Sequence, residues 1–281
     1  MRIATVRMDD GPKLAVDVDG DYRSLDFDLD LLSLVQSGVD PRDLGVGDAV
    51  AGELAAPLHP RKIVAIGLNY RDHIRESKLS QPEQPLVFAK FPSSVTGPNH
   101  PIVVDVELTR QVDWEVELGV IVGRRMRNVA VGAALDYVFG YTVGNDVSAR
   151  DVQFSESQWT RGKSFDTFCP IGPVVVTRDE ISDPQVLALR TRVNGELMQD
   201  SSTAEMLFGV AELLAFCSRS FRLEPGDLLL TGTPWGCGYF MDPPRTLEIG
   251  DVVECEVNAS ACCATPSPLP PALANARSGG R

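Results

Sequence analysis

From Lys62 onward the chain is a succession of short apolar runs punctuated by Gly, Pro and Asp: IVAIGL, PLVFAKF, PIVVDV, WEVELGVIVG, YVFGYTVGND, IGPVVVT, LALRTRVNG, DLLLTGTP and DVVECEV. Runs of this length, rich in β-branched residues and bounded by turn formers, predict strands. Only a few segments, such as 69–78 and 204–216, carry helical spacing. The pattern therefore predicts a β-rich α+β domain rather than a βαβ alternation. Residues 1–60 read differently, with strand-like runs at 3–6 and 14–18 and short-helix spacing at 29–35. Pro57 and Pro60 then break the pattern, which predicts a small N-terminal α/β module over 1–60 and a main domain over 61–257. After Val257 the chain becomes NASACCATPSPLPPALANARSGGR, a Pro, Ala and Ser mixture with little means of building a core. Residues 258–281 are predicted to be disordered.

Composition narrows the classes. With 281 residues and 43% hydrophobic content the chain can bury a sizeable core. Its 39 acidic and 26 basic residues give a net charge of -13, which repels polyanions, and no basic block follows a phosphate backbone. Nucleic acid is excluded as a partner on that ground. The opening MRIATVRMDDG carries Arg2, Arg7, Asp9 and Asp10 and offers no apolar signal, and no apolar run approaches the roughly 18 residues of a spanning helix. The expectation is a soluble, cytoplasmic protein with no membrane partner. Six scattered cysteines without a CxxC pair then read as reduced thiols. The segment Gly232, Thr233, Pro234, Trp235, Gly236 lacks the Lys and the spacing of a phosphate loop.

The candidate chemistry begins at Asp113-Trp-Glu-Val-Glu-Leu-Gly119. On a strand, alternation puts Glu115 and Glu117 on one face and Trp114, Val116 and Leu118 on the other. Alternating acids also suit the solvated face of a half-buried sheet. Two carboxylates so close repel, however, unless a cation lies between them, and hard Mg²⁺ takes carboxylate oxygens. Asp146 ends the run Tyr141-Thr-Val-Gly-Asn-Asp; alone it reads as a turn residue or helix cap, and as a ligand only within a set. His73 and Glu76 stand three apart on a predicted helix and so share a face. A carboxylate on one imidazole nitrogen fixes the tautomer and raises the basicity of the other nitrogen, as a general base requires, although the same spacing serves a surface contact. His59 and His100 each sit beside a proline and have no acid at this spacing. Lys163, in Arg-Gly-Lys-Ser-Phe-Asp-Thr, is either solvated or a fixed positive charge beside a bound anion.

Taken in order, GLNYRDHIRES, PLVFAKFPSSVTGP, VDWEVELGVIVGR, YVFGYTVGNDVSARDVQ, RGKSFDTFCPIGP, VNGELMQDSSTAEMLF and LEPGDLLLTGTPWGCG resemble the fumarylacetoacetate hydrolase family from about Lys62 to Val257. The resemblance implies a rolled mixed β-sheet around a central metal cleft, usually within a homodimer. It implies Glu115, Glu117 and Asp146 as ligands of Mg²⁺ or Mn²⁺, with Lys163 and Thr167 just outside the ligand shell. It implies Arg150, Gln153 and the backbone around Thr233 as the groups that meet a substrate carboxylate, and His73 with Glu76 as the acid-base pair on a closing segment. The first 60 residues resemble the small N-terminal module of many bacterial members. At the C-terminus the chain departs from the family, whose members continue into a Gly-containing closing strand. The activity implied is metal-dependent hydrolysis of a carbon-carbon bond in a small 2,4-dioxo acid, of acylpyruvate or fumarylpyruvate type, through a metal-stabilised enolate. Two alternatives stay open: a tautomerase, isomerase or decarboxylase of an oxo diacid of oxaloacetate or hydroxymuconate type at the same site, and a non-catalytic metal-binding scaffold.

Overall fold

A computed structural model describes residues 1–9, 11–258 and 274–275. The β-branched runs pair into one mixed sheet of twelve strands. Its main path runs Val46–Ala49, Asp21–Leu25, Gly11–Val18, Arg2–Met8, Cys169–Thr177, Val138–Asn145, Val116–Val122, Leu228–Leu230, Ile63–Gly67 and Leu86–Lys90. Along that path only Leu228–Leu230 and Ile63–Gly67 are parallel neighbours. This is the strand-rich α+β architecture that the sequence predicts.

The central strand Val116–Val122 is buried at every residue, which places it between two packed layers. Alternation divides its side chains. Val116, Leu118, Val120 and Val122 enter a cluster with Trp114 and with Val210, Leu213, Leu214 and Cys217 of the Val210–Ser220 helix. Ile121 enters the opposite cluster, with Ile171, Leu228, Leu230 and the N-terminal residues Ile3, Leu14, Leu31 and Leu34. The strands of the first sixty residues continue the same sheet, with Ile3 opposite Val175.

A separate three-stranded sheet sets Ala188–Val193 between Glu196–Ser202 and Val253–Asn258. Its tight hairpin turns at Asn194 and Gly195, both at positive φ, the conformation that a two-residue loop of matching twist requires.

Helix boundaries differ from the predicted ones for local reasons. The first helix spans Leu31–Ser37 rather than 29–35, because the Asp30 side chain caps it by accepting the Ser33 N–H. The segment 204–216 does not form one helix. Thr203–Glu205 is a 3-10 turn, and the α-helix is Val210–Ser220, where Glu212 accepts the Gly209 N–H at 2.8 Å. The Arg71–Ser77 helix lies within the predicted 69–78.

No helix among the described residues is long and apolar enough to cross a membrane. Beyond Asn258 only Ala274–Asn275 is described, paired in parallel with Val103–Val104, and the expectation of a disordered tail otherwise lies outside the described residues.

Candidate active site

The three candidate ligands come from two neighbouring central strands. Glu115 precedes the Val116–Val122 strand, Glu117 lies within it, and Asp146 follows the Val138–Asn145 strand. Their backbones are stitched together: the Asp146 N–H donates to Glu115 O at 2.9 Å, and the Glu115 N–H donates to Asn145 Oδ1 at 3.0 Å. All three side chains are buried, and one oxygen from each lies within 4.8 Å of the others.

Cations surround this cluster unevenly. Lys163 Nζ lies 2.6 Å from Glu115 Oε2 and 2.8 Å from Asp146 Oδ2. Lys90 Nζ lies 2.5 Å from Asp146 Oδ1 and also donates to Lys163 O. Arg150 Nη2 lies 2.6 Å from Glu115 Oε1 and 2.8 Å from Asp113 Oδ2. Glu117, by contrast, accepts only the Gly232 N–H among the described residues, at 2.8 Å. Burial alone would raise the Glu115 carboxyl, but Lys163 and then Arg150 outweigh it and hold that carboxyl at about 2. Burial, with Asp146 and Glu115 alongside, pushes the Glu117 carboxyl well above the usual carboxylate range. A buried carboxylate that no side-chain cation touches, beside two more oxygen donors, fits a hard divalent ion such as Mg²⁺ or Mn²⁺.

The dyad stands on the Arg71–Ser77 helix. His73 Nδ1 and Glu76 Oε2 are 3.1 Å apart, and Glu76 Oε1 accepts the Gly236 N–H at 2.8 Å. Glu76 therefore engages one imidazole nitrogen and leaves the other, Nε2, outside that contact. The Phe240 ring meets the imidazole edge-on at 5.3 Å. The helix itself is anchored from both sides. Asn69 Nδ2 donates to Thr231 O and Phe208 O, and Asp72 accepts both the His73 N–H and the Ser201 hydroxyl.

A cleft of about 390 Å³, part of it open to solvent, brings His73 and Glu115 onto one surface. His73, Glu115, Arg150, Gln153, Lys163 and Thr233 line it, with Phe154, Trp159 and Phe240 among its apolar wall. Gln153 is bonded to Arg150 at 2.9 Å. The Thr233 hydroxyl is committed to the fold, donating to Val116 O and accepting from Gln199 Nε2.

Thr167, expected just outside the ligand shell, spends its hydroxyl on the backbone. It sits at positive φ with that hydroxyl accepting the Val103 N–H at 2.7 Å, and it bonds to none of the three acids. Sequence reasoning in turn missed Lys90, Asp113, Gln199 and Cys237, all buried around the site. The one available signal for Lys90 is a lysine inside the apolar run PLVFAKF, on the same strand face as Phe88.

Residues 62–266 match the family of fumarylacetoacetate (FAA) hydrolase C-terminal domains. The chain is 48% identical over 216 residues to the mitochondrial oxaloacetate tautomerase fahd2 of Xenopus laevis, covering 76% of this chain and 67% of that protein. It is 44% identical over 206 residues to the mitochondrial oxaloacetate tautomerase FAHD2A of Homo sapiens, covering 73% and 65%. The chain thus spans about two thirds of the length of the curated relatives it matches. Among solved structures, it is similar to the fumarylacetoacetate hydrolase of psychrophilic Exiguobacterium antarcticum, with a TM-score of 0.83 and 39% identity over 92% of this chain and 95% of that one. A 5-carboxymethyl-2-hydroxymuconate delta-isomerase from Mycobacterium smegmatis superposes with a TM-score of 0.77 and 33% identity, covering 92% and 95%.

Proposed function

The chain belongs to the fumarylacetoacetate hydrolase family, and on that premise we propose that it is a divalent-metal-dependent keto-enol tautomerase of a small oxo diacid, of the oxaloacetate type. The observation that carries this reading is that His73, paired to Glu76, lines the same small cavity as Glu115 of the carboxylate cluster. Relatives named oxaloacetate tautomerase, and a neighbour named an isomerase, favour it over the hydrolysis placed first by the sequence.

Glu115, Glu117 and Asp146 would hold Mg²⁺ or Mn²⁺, which supplies Lewis-acid polarisation of a 2-oxo acid. Arg150 and Gln153 orient a substrate carboxylate from one wall of the cavity. His73 Nε2 takes a proton from the carbon between the keto and carboxylate groups. That C–H bond breaks, its electron pair forms the carbon-carbon double bond, and the carbonyl π pair moves onto the keto oxygen as the enolate forms. Glu76 stabilises the imidazolium, and Lys163 offsets the charge developing on oxygen. The imidazolium then gives its proton to that oxygen, completing the enol; the reverse order restores the ketone. A homodimer and the cytoplasmic setting expected from the sequence belong to the same proposal.

Carbon-carbon hydrolysis of a 2,4-dioxo acid is the second reading, favoured by the similarity to the Exiguobacterium enzyme. There His73 would deprotonate water instead. The two are separated by ultraviolet assays with Mg²⁺. Decay of oxaloacetate enol absorbance above the buffer rate, stopped by a chelator, is the tautomerase result. Release of pyruvate and a carboxylic acid from an acylpyruvate moves the reading to hydrolysis, and no turnover of either compound leaves the metal-binding scaffold. His73→Ala is expected to lower turnover by a factor on the order of 10²–10⁴ with Mg²⁺ affinity unchanged. Wild-type rates in that variant would reduce the dyad to a structural pair.

A further inference from the structure

We propose that His73, Glu76 and Cys237 form a second metal site, separate from the carboxylate cluster, that captures a thiophilic divalent ion such as Zn²⁺ and thereby switches the base off.

Cys237 is fully buried, and its Sγ lies 3.9 Å from His73 Nδ1, the nitrogen that Glu76 Oε2 already approaches to 3.1 Å. One nitrogen, one oxygen and one sulfur thus lie within 4.8 Å of one another. Around a tetrahedral ion with bonds of about 2.0–2.1 Å to nitrogen and oxygen and about 2.3 Å to sulfur, neighbouring ligand atoms stand roughly 3.3–3.6 Å apart. The gaps of 3.1 and 3.9 Å bracket that range and the oxygen-to-sulfur gap is within 4.8 Å, so side-chain movements of up to about an ångström seat the ion. The other polar neighbours of the thiol, Pro234 O at 3.8 Å and Gln199 Nε2 at 3.9 Å, are long contacts that hold it weakly.

The two ligand sets differ in chemical class. Glu115, Glu117 and Asp146 offer oxygen alone and suit hard ions, whereas an imidazole, a carboxylate and a thiolate select a borderline or soft one. They also stand on different supports. Cys237 precedes the Gly238–Phe240 turn, while His73 and Glu76 share the Arg71–Ser77 helix. The Gly236 N–H holds Glu76 by Oε1, so Oε2 is free to turn from the imidazole to the ion with that bond intact. The Glu76 side chain, 15% exposed, is the part of the set that meets solvent. Keto-enol chemistry asks for no sulfur beside the orienting nitrogen of the base.

Capture has a defined consequence for the base. The ion takes the place of the proton on Nδ1, and the ring's proton then resides on Nε2, the nitrogen needed by the substrate. The thiol proton leaves to solvent as the metal–sulfur bond forms. His73 can then accept nothing, and turnover stops although the carboxylate cluster is untouched.

The test uses the full chain carrying Cys262→Ser and Cys263→Ser, so that the tail thiols do not compete. With Mg²⁺ saturating, Cd²⁺ is expected to raise an ultraviolet thiolate-to-metal band that saturates at one ion per chain. Asp146→Asn keeps the band; Cys237→Ala and the near-isosteric Cys237→Ser both lose it. Zn²⁺ is expected to inhibit turnover in the parent, and its potency falls by on the order of tenfold or more in Cys237→Ser. The proposal is overturned by a band that is missing from the parent or survives in both Cys237 variants, and equally by Zn²⁺ inhibition that ignores Cys237. The cadmium band needs no turnover, so it decides this site even if the tautomerase reading fails.

Discussion

The ammonium of Lys90 is buried, ion-paired to Asp146 and bonded to Lys163 O, so removing it leaves one oxygen of a buried carboxylate unpaired, with Lys163 still on the other. Lys90→Met is expected to cost about 3–5 kcal/mol in metal-free protein, read by urea unfolding, and less when Mg²⁺ is present to face Asp146. Glu117 has the opposite sign. Its carboxyl titrates above its ordinary 4.5 in the fold, so the folded state holds that proton more tightly than the unfolded chain. The resulting stability is present below the unfolded value and is lost as pH rises through the folded one. Metal-free protein should therefore lose midpoint temperature as pH climbs from 4.5, and Glu117→Gln should flatten that slope while weakening Mg²⁺ binding. A variant that neither flattens the slope nor weakens Mg²⁺ would remove Glu117 from the site. Glu115 with Glu117, and His73 with Glu76, were legible in the sequence because their relation is local, two or three residues along one element. Lys90 and Asp113 were not, since their partners Asp146 and Arg150 lie 56 and 37 residues away and no periodicity announces them.

At the scale of elements, the Arg71–Ser77 helix has seven residues and cannot hold itself in water, so its neighbours hold it. Asn69 is the chief anchor. Its amide donates to Phe208 O and Thr231 O, and its oxygen accepts the Phe208 N–H. Asn69→Ala leaves those buried groups unsatisfied, an expected loss of about 1–3 kcal/mol by urea unfolding. It should also lower kcat with Mg²⁺ affinity unchanged, because the acids stand on the sheet and the base on the helix. Parallel losses in both would mean that the two supports move as one. The helical spacing of 69–78 was readable, but the start of the Val210–Ser220 helix was not. Ala204 and Glu205 are good helix formers, yet Gly209 and Glu212 fix the cap five residues later, and the segment before it is taken by Asn69.

The whole molecule places its acids in the middle of one sheet and its base at the margin. The strands that carry Glu117 and lead to Asp146 lie side by side, covered above and below by the two apolar clusters. The first strand, Arg2–Met8, pairs with Cys169–Thr177, a union across most of the chain that strand-like spacing near the N-terminus could not reveal. The same layering sorts the three tryptophans. Trp114 is fully buried with its indole N–H on Gly236 O, Trp159 lines the cavity, and Trp235 is 45% exposed. Their emission is therefore separable: a bulky water-soluble quencher should act most strongly on Trp235, and an oxo diacid filling the cavity should perturb the half-buried Trp159. A Trp159→Phe chain whose emission still responded equally to the ligand would refute that division. The fold thus carries its own optical gauge of occupancy, one that needs neither a label nor a coupled assay, and Trp114 should hold its signal until the sheet itself melts.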